Sequence, residues 1–239
     1  MKRKRSQHQA ESTHSNNVIN MEHSKRKKVQ IYPKNLSQEI YLEKLNDQLK
    51  KIVFAIGPAG TGKTLLAVQW AVDEFKSGQA SKIVVTRPAV SVDEEHGFLP
   101  GDLNEKMAPW TRPIFDVLQD NFHAQQIENF IKEGLIETSP LAYMRGRTFK
   151  NAVIIADEMQ NATPSQMKML LTRLGEGSKM IVTGDLQQAD RPSHNGLLEF
   201  LGLYNNFQDK KFIDLCQFTA EDIERHEAVK EILEIYGEK

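Results

Sequence analysis

Four residues of this sequence, Lys63, Thr64, Asp157 and Glu158, combine by type and setting into one chemistry. Lys63 and Thr64 close the stretch Gly57-Pro58-Ala59-Gly60-Thr61-Gly62-Lys63-Thr64, which fits G-x-x-x-x-G-K-[ST]. Glycines there let the backbone curl and aim its N–H groups inward, and the N-terminus of a following helix adds positive potential, so the loop becomes a socket for phosphate oxygens. Lys63 is expected to reach the β- and γ-phosphates of ATP as a point charge, and the Thr64 hydroxyl to ligate Mg²⁺. Asp157 ends the apolar run Ala152–Ala156 and is expected to hold the Mg²⁺ shell beside Thr64. Glu158, next in line, can orient and deprotonate a water. An Asp-Glu pair in isolation means little; after a buried strand, downstream of a phosphate loop, it points to ATP hydrolysis.

These groups work only if strands and helices bring them together. Ile52–Ile56 is an unbroken apolar run suited to a strand buried on both faces, and Leu65, Leu66 and Val68 open a helix (about 63–77) directly behind the loop. Strand before and helix after are what separate a phosphate loop from a chance glycine-rich turn. Further strands are expected at Lys82–Thr86, Leu135–Ser139, Ala152–Ala156, Lys179–Thr183 and Lys211–Leu215. Helices are expected at 122–132, from Thr163-Pro164 to about Leu174, at about 195–204 and at 219–236. Upstream, Leu36, Ile40, Tyr41, Leu45 and Leu49 fall at helical spacing. Residues 91–120 are too rich in proline and glycine for a plain crossover helix and read as an irregular excursion with short helices at 103–107 and 114–118. This alternation predicts an α/β fold: one parallel-sheet domain over residues 31–239, flanked by helices, behind a disordered basic tail over residues 1–30.

Other side chains fall at the carboxyl ends of those strands, where open α/β sheets place their ligands. Arg87 ends the second strand. Asp185 and Gln188 follow the fifth, and from that edge Gln188 can sense the γ-phosphate or hold the attacking water. In Tyr143-Met144-Arg145-Gly146-Arg147, two arginines around a glycine beside an aromatic ring suit gripping phosphates and stacking a base, with a solvated turn as the bland alternative. Gln38, near the start of the first helix, carries an amide able to pair with an adenine edge. His226 reads as a structural or surface histidine.

Charge and composition narrow the classes. Residues 1–28 hold Lys2, Arg3, Lys4, Arg5, Lys25, Arg26, Lys27 and Lys28 against Glu11 and Glu22, a balance of +6; the whole chain is −1, leaving −7 over residues 29–239. Only the tail therefore advertises itself to polyanions. A single cysteine, Cys216, excludes an intrachain disulfide. With no apolar run long enough for a membrane span and no secretion signal, a cytoplasmic protein is the expectation. There is no metal-binding Cys/His spacing and no Ser/His/Asp nucleophile pattern.

The order of motifs resembles a superfamily 1 helicase core and, more narrowly, the PhoH family of P-loop ATPases. The likeness is carried by GPAGTGKT (57–64), TRPAV (86–90), GFLPGDLNEKM (97–107), PLAYMRGRTF (140–149), DEMQNATPSQMKMLLTRLG (157–175), KMIVTGD (179–185) and DIERH (222–226). It covers nearly everything from Pro33 onward. The resemblance implies a RecA-like domain that binds ATP, with ATPase and RNA-unwinding activity, a phosphate-starvation link in the family's naming, and Gln38 as the adenine-reading glutamine. Family members tend to follow GDxxQ with leucine-proline-arginine; here Arg191 precedes Pro192 instead. Helicases of this superfamily complete their site with an arginine from a second lobe, and this chain has strands for one. Since such an arginine is worth roughly three to five orders of magnitude in rate, the expectation is a homo-oligomeric ring, hexameric by analogy, in which Arg225, Arg173 or Arg191 reaches a neighbour's γ-phosphate. RNA or single-stranded DNA is the expected partner, contacted by Arg87, Arg145 and Arg147. A nucleotide-gated switch or adaptor without nucleic-acid motor activity is the alternative; a small-molecule kinase fits less well, because Glu158 and GDxxQ favour water as the acceptor.

Overall fold

The computed structural model describes residues 29–88, 112, 114–190 and 194–236. Most of the tail expected over residues 1–30, most of the 91–120 excursion and Arg191 lie outside them; at the tail's end Val29 is buried in the core and its N–H donates to Asp73 at 2.8 Å, so the domain starts earlier than the expected boundary. Six parallel strands form one sheet: β1 (Ile52–Ile56), β2 (Lys82–Arg87), β3 (Ile136–Pro140), β4 (Ala152–Ala156), β5 (Lys179–Gly184) and β6 (Ile213–Gln217), in the order β3-β2-β4-β5-β1-β6. Every residue of β1, β4 and β5 is buried, as near-continuous apolar sequences between two helical layers require. Thus β5 lies between the strand feeding the phosphate loop and the strand that ends in Asp157.

Helix α1 (Leu36–Asn46) precedes β1, and α2 (Lys63–Ser77) follows it. Helices α3 (Ala124–Lys132), α4 (Pro164–Leu171), α5 (Gly196–Asn206) and α6 (Glu227–Tyr236), a helical stretch at 114–119 and several short 3₁₀ turns complete the described elements. The core divides by sheet face. On one side Tyr41, Leu45, Leu66, Trp70 and Ile83 pack together; on the other, Phe54, Met144, Ile154, Met167 and Leu197 do. Among the described residues no helix is long and apolar enough to cross a membrane.

Sequence signals place the ends of several elements. Thr163 and Gln166 form a reciprocal capping box, with Pro164 at the first turn of α4. Asn35 caps α1 by accepting from the Gln38 N–H at 3.0 Å. At its other end the Lys179 ammonium donates to the carbonyls of Lys44, Leu45 and Asp47, satisfying acceptors that a helix C-terminus leaves open.

Three expectations change. In α1 the buried face is Gln38, Tyr41 and Leu45, whereas Leu36, Ile40 and Leu49 are exposed; a polar residue has taken the inward position, for a reason that lies in the site. The last strand is displaced two residues, to Ile213–Gln217. The final helix begins at Glu227 rather than 219, because Asp222 turns back to accept from the Thr219 N–H at 2.7 Å and closes a short 3₁₀ turn over Ala220–Asp222.

The edge strand β3 carries an ionic cluster that bears on Arg147. Glu137 accepts from both guanidinium Nη groups of Arg147, one at 2.8 Å, and from Lys82 at 2.6 Å, while the guanidinium lies 4.5 Å from the centre of the Phe149 ring. The Arg147 hydrogen bond, aided by Lys82, holds the Glu137 carboxyl down at about 2 against the opposing effect of burial. Its folded-state value lies below the ordinary 4.5, so its stabilisation is present above that pH and is lost as pH falls toward 2. Glu137→Gln should therefore be less stable than wild type near neutrality, by roughly 1 kcal/mol or less for a partly solvated pair. The gap should close between about pH 4.5 and pH 2, read as urea midpoints of the two proteins across that range.

Candidate functional site

The parallel register brings four strand ends level: Ile56 pairs with Gly184, Ala156 with Val182, and Thr86 with Ala156. Residues just past those ends therefore share one rim. A pocket of about 270 Å³ opens there, lined by Ala59, Gly60, Gly62, Lys63, Thr64, Leu65, Asp157, Glu158, Thr183, Gly184, Asp185 and Gln188. The loop and both carboxylates meet in it, though they are separated by more than ninety residues of sequence.

The loop backbone needs its glycines for two reasons. Gly57 adopts φ +151°, and a Cβ there would stand 2.4 Å from the carbonyl oxygen of Phe218, whose own N–H donates to Ile56 at 2.7 Å. Gly62 caps α2 at φ +82°, and a Cβ on it would press on the Gln38 amide at 3.0 Å. Lys63 is buried, and its ammonium donates to the carbonyls of Gly57 at 2.7 Å and Pro58 at 2.6 Å. Burial pulls its pKa below the ordinary value, opposed by the charges of Asp185, Glu158 and Asp157.

Asp157 is fixed by two hydroxyls. Its Oδ1 accepts from Thr64 Oγ1 at 2.7 Å and from Thr183 Oγ1. Among the described residues no three His, Cys, Asp or Glu side chains form a metal cage. One carboxylate and one hydroxyl beside a phosphate socket nevertheless match what Mg²⁺ uses, since that ion keeps waters and takes its remaining oxygens from substrate phosphates. The donor set fits. Glu158 follows with φ 53° and ψ 37°, a left-handed conformation uncommon outside glycine, and its carboxylate accepts from the Gln160 amide.

Asp185 and Gln188 arrive on the turn after β5. Asp185 is buried, accepting from the Ala59 N–H at 3.2 Å and from the Gln187 N–H at 3.0 Å. Gln188 lines the pocket from an exposed position. Gln38, 4% exposed, accepts from the Lys34 N–H at 2.8 Å and donates to the Thr61 carbonyl at 3.1 Å, leaving its second N–H and second lone pair for another partner. It borders a further recess of about 230 Å³ that shares Gly60, Gly62 and Leu65 with the phosphate pocket and includes the exposed ring of Tyr32. Arg225 lies against its own chain's loop, its Nε 3.4 Å from where a Cβ on Gly60 would sit.

The arginines proposed elsewhere are placed differently. Arg147 is ion-paired to Glu137, which leaves Arg145 and the exposed Tyr143 as the outward groups of that loop. Arg173 is tied to the carbonyls of Met169 and Arg147 at 3.0 and 3.2 Å. His226 accepts from the Ala228 N–H at 3.2 Å, a local structural role. Thr183 and Gln160 were missed by sequence reasoning. Thr183 is one more β-branched residue in an apolar strand until the register sets it opposite Asp157, and Gln160 has no signal beyond its nearness to the acidic pair.

Among the described residues, a fully parallel sheet with a glycine-rich loop behind one strand, and an Asp-Glu pair two strands away on the same rim, has the architecture of a P-loop nucleotide-binding domain. The family model described as "PhoH-like protein" matches residues 30–237, and the chain belongs to that family. It is 48% identical over 210 residues to a PhoH-like protein of Bacillus subtilis (strain 168), covering 86% of this chain and 64% of that one. A PhoH-like protein of Mycobacterium tuberculosis (strain ATCC 25618 / H37Rv) is 44% identical over 222 residues, covering 92% and 62%. Protein PhoH of Escherichia coli (strain K12) is 39% identical over 224 residues, also covering 92% and 62%. The chain thus spans somewhat under two thirds of these relatives' length. Among solved structures, the UvsW helicase of bacteriophage T4 is similar with a TM-score of 0.47 at 13% identity, over 79% of this chain and 61% of that one, too distant to bear on function.

Thr183→Val tests the site's least obvious member. It keeps the side chain's shape and removes one of the two hydroxyls on Asp157, a loss of roughly 1–3 kcal/mol for a buried acceptor. Calorimetric titration should show Mg²⁺-dependent nucleotide affinity reduced by about 5- to 150-fold, with metal-free binding changed far less.

Proposed function

We propose that this protein hydrolyses ATP with Mg²⁺ and couples turnover to binding RNA or single-stranded DNA. The observation that carries the reading is the convergence of Lys63, Thr64, Asp157, Glu158 and Gln188 on one pocket. Backbone N–H groups of the loop and the Lys63 ammonium bind the phosphates. Thr64 and Asp157 would hold the metal, which when bound would supply charge neutralisation at the phosphoryl group. Glu158 takes a proton from water, and Gln188 orients that water or contacts the γ-phosphate. Gln38 reads the adenine edge with its unused N–H and lone pair, next to Tyr32.

Nucleic acid is read by Arg145 and the exposed Tyr143, and by Arg87 at the rim of β2. The cytoplasm is the proposed location. A homo-oligomeric ring, hexameric by analogy, is the proposed assembly, with an arginine of each subunit completing its neighbour's site. Arg225 already lies beside its own chain's loop, which supports a role at the phosphates of either subunit. A nucleotide-gated switch is the second reading, favoured by the loop's present bonds: Lys63 on its own carbonyls and Asp185 on Ala59 give two sets of partners that a phosphate would exchange.

Steady-state turnover with and without single-stranded RNA and DNA, at two salt concentrations, separates the readings. A motor's rate rises with added strand, and the stimulation weakens as salt increases; a switch shows no stimulation. Glu158→Gln should lower turnover by roughly 100-fold or more while nucleotide still binds. Unchanged turnover would remove Glu158 as the base.

A further inference from the structure

From the turn that follows the acidic pair we infer that Gln160 is the positioning residue of the site, holding Glu158 in its working orientation and tying it to the segment that carries Gln188. The inference rests on the ATPase reading above. Gln160 is 1% exposed, an unusual setting for a glutamine, and both ends of its amide are committed. Its Nε2 donates to Glu158 Oε2, and its Oε1 accepts from the Asp185 N–H at 3.0 Å. One rigid group therefore links the end of β4 to the end of β5.

Nearby geometry gives that link its purpose. Glu158 sits at φ 53°, a conformation unfavourable for such a residue that persists only where its surroundings over-determine it. Glu158 in that conformation caps the short 3₁₀ turn Met159–Asn161, and its carboxylate accepts from Gln160 of the same turn. The same turn grips the β5 segment a second time, because Asn161 Oδ1 accepts from the Asp190 N–H at 3.0 Å. Gly184 leaves the room required: a Cβ there would stand 3.1 Å from Gln160 Oε1 and 2.6 Å from Leu197. A free glutamate samples several rotamers, and misplacing a catalytic group by about 1 Å can cost around 100-fold in rate. Gln160 removes that freedom and makes the orientation of the base depend on where Asp185 and Gln188 stand.

Gln160→Met keeps the side chain's length and apolar volume but removes both hydrogen bonds. Under single-turnover conditions the rate of hydrolysis should fall by roughly 10- to 100-fold. Affinity for a non-hydrolysable ATP analogue and the unfolding midpoint should stay close to wild type. In a Glu158→Gln background the same substitution should change the residual rate by less than about twofold, since there is no base left to aim. Equal losses of rate, affinity and stability, or a full additional rate loss in the Glu158→Gln background, would assign Gln160 to folding alone and overturn the inference while leaving the ATPase reading intact. A wild-type protein that turns over no ATP would overturn both.

Discussion

The carboxylate of Asp157 is the point on which the site depends. It ends a strand that is apolar and buried throughout, yet it accepts hydrogen bonds from Thr64 on the loop helix and Thr183 on the intervening strand. A negative charge at the edge of a core is costly unless its lone pairs are met. Here both hydroxyls come from other segments, so satisfying the charge also fixes the phosphate loop, the acidic pair and the end of β5 relative to one another. The sheet supplies the scale: parallel strands in register deliver their ends to one rim, and short turns need only carry a side chain a few ångströms further.

Around that anchor the loop is held by bonds it can exchange. Lys63 donates to two carbonyls of its own loop, and Asp185 accepts from Ala59. A triphosphate would offer those donors several anionic oxygens at once in place of one carboxylate and two neutral carbonyls. On the proposed reading, binding would gain the difference between two sets of hydrogen bonds rather than the full strength of either, and moving Asp185 would also move the segment bearing Gln188. The link through Gln160 then places Glu158 within the same set of coupled parts.

Much of this was legible in the sequence, and what was not has a physical reason. Apolar runs of five residues bounded by turn signals gave the central strands, because burial on both faces leaves no polar alternation to confuse them. The phosphate loop and the acidic pair were readable since each is a local pattern with one chemistry. Helix α1 misled: its apolar residues suggested a stripe through Leu36 and Ile40, while the face that turns inward carries Gln38, drawn there by its bonds to Lys34 and Thr61. The end of the last helix's approach was missed because Asp222 caps its own short turn. Arg147 looked available until the register of β3 set Glu137 beside it. Thr183 meets Asp157, and Gln160 meets Asp185, only through long-range pairing, which no local window contains.

The central claim is that one pocket binds a triphosphate through the loop lysine. Calorimetric titration of a non-hydrolysable ATP analogue with Mg²⁺ into the wild type and Lys63→Ala tests it most directly. Wild type should bind, and the variant should bind roughly 10- to 100-fold more weakly, the loss of charge-assisted hydrogen bonds to phosphate. Equal affinity in the two proteins, with both folded, would place the nucleotide elsewhere and contradict the account.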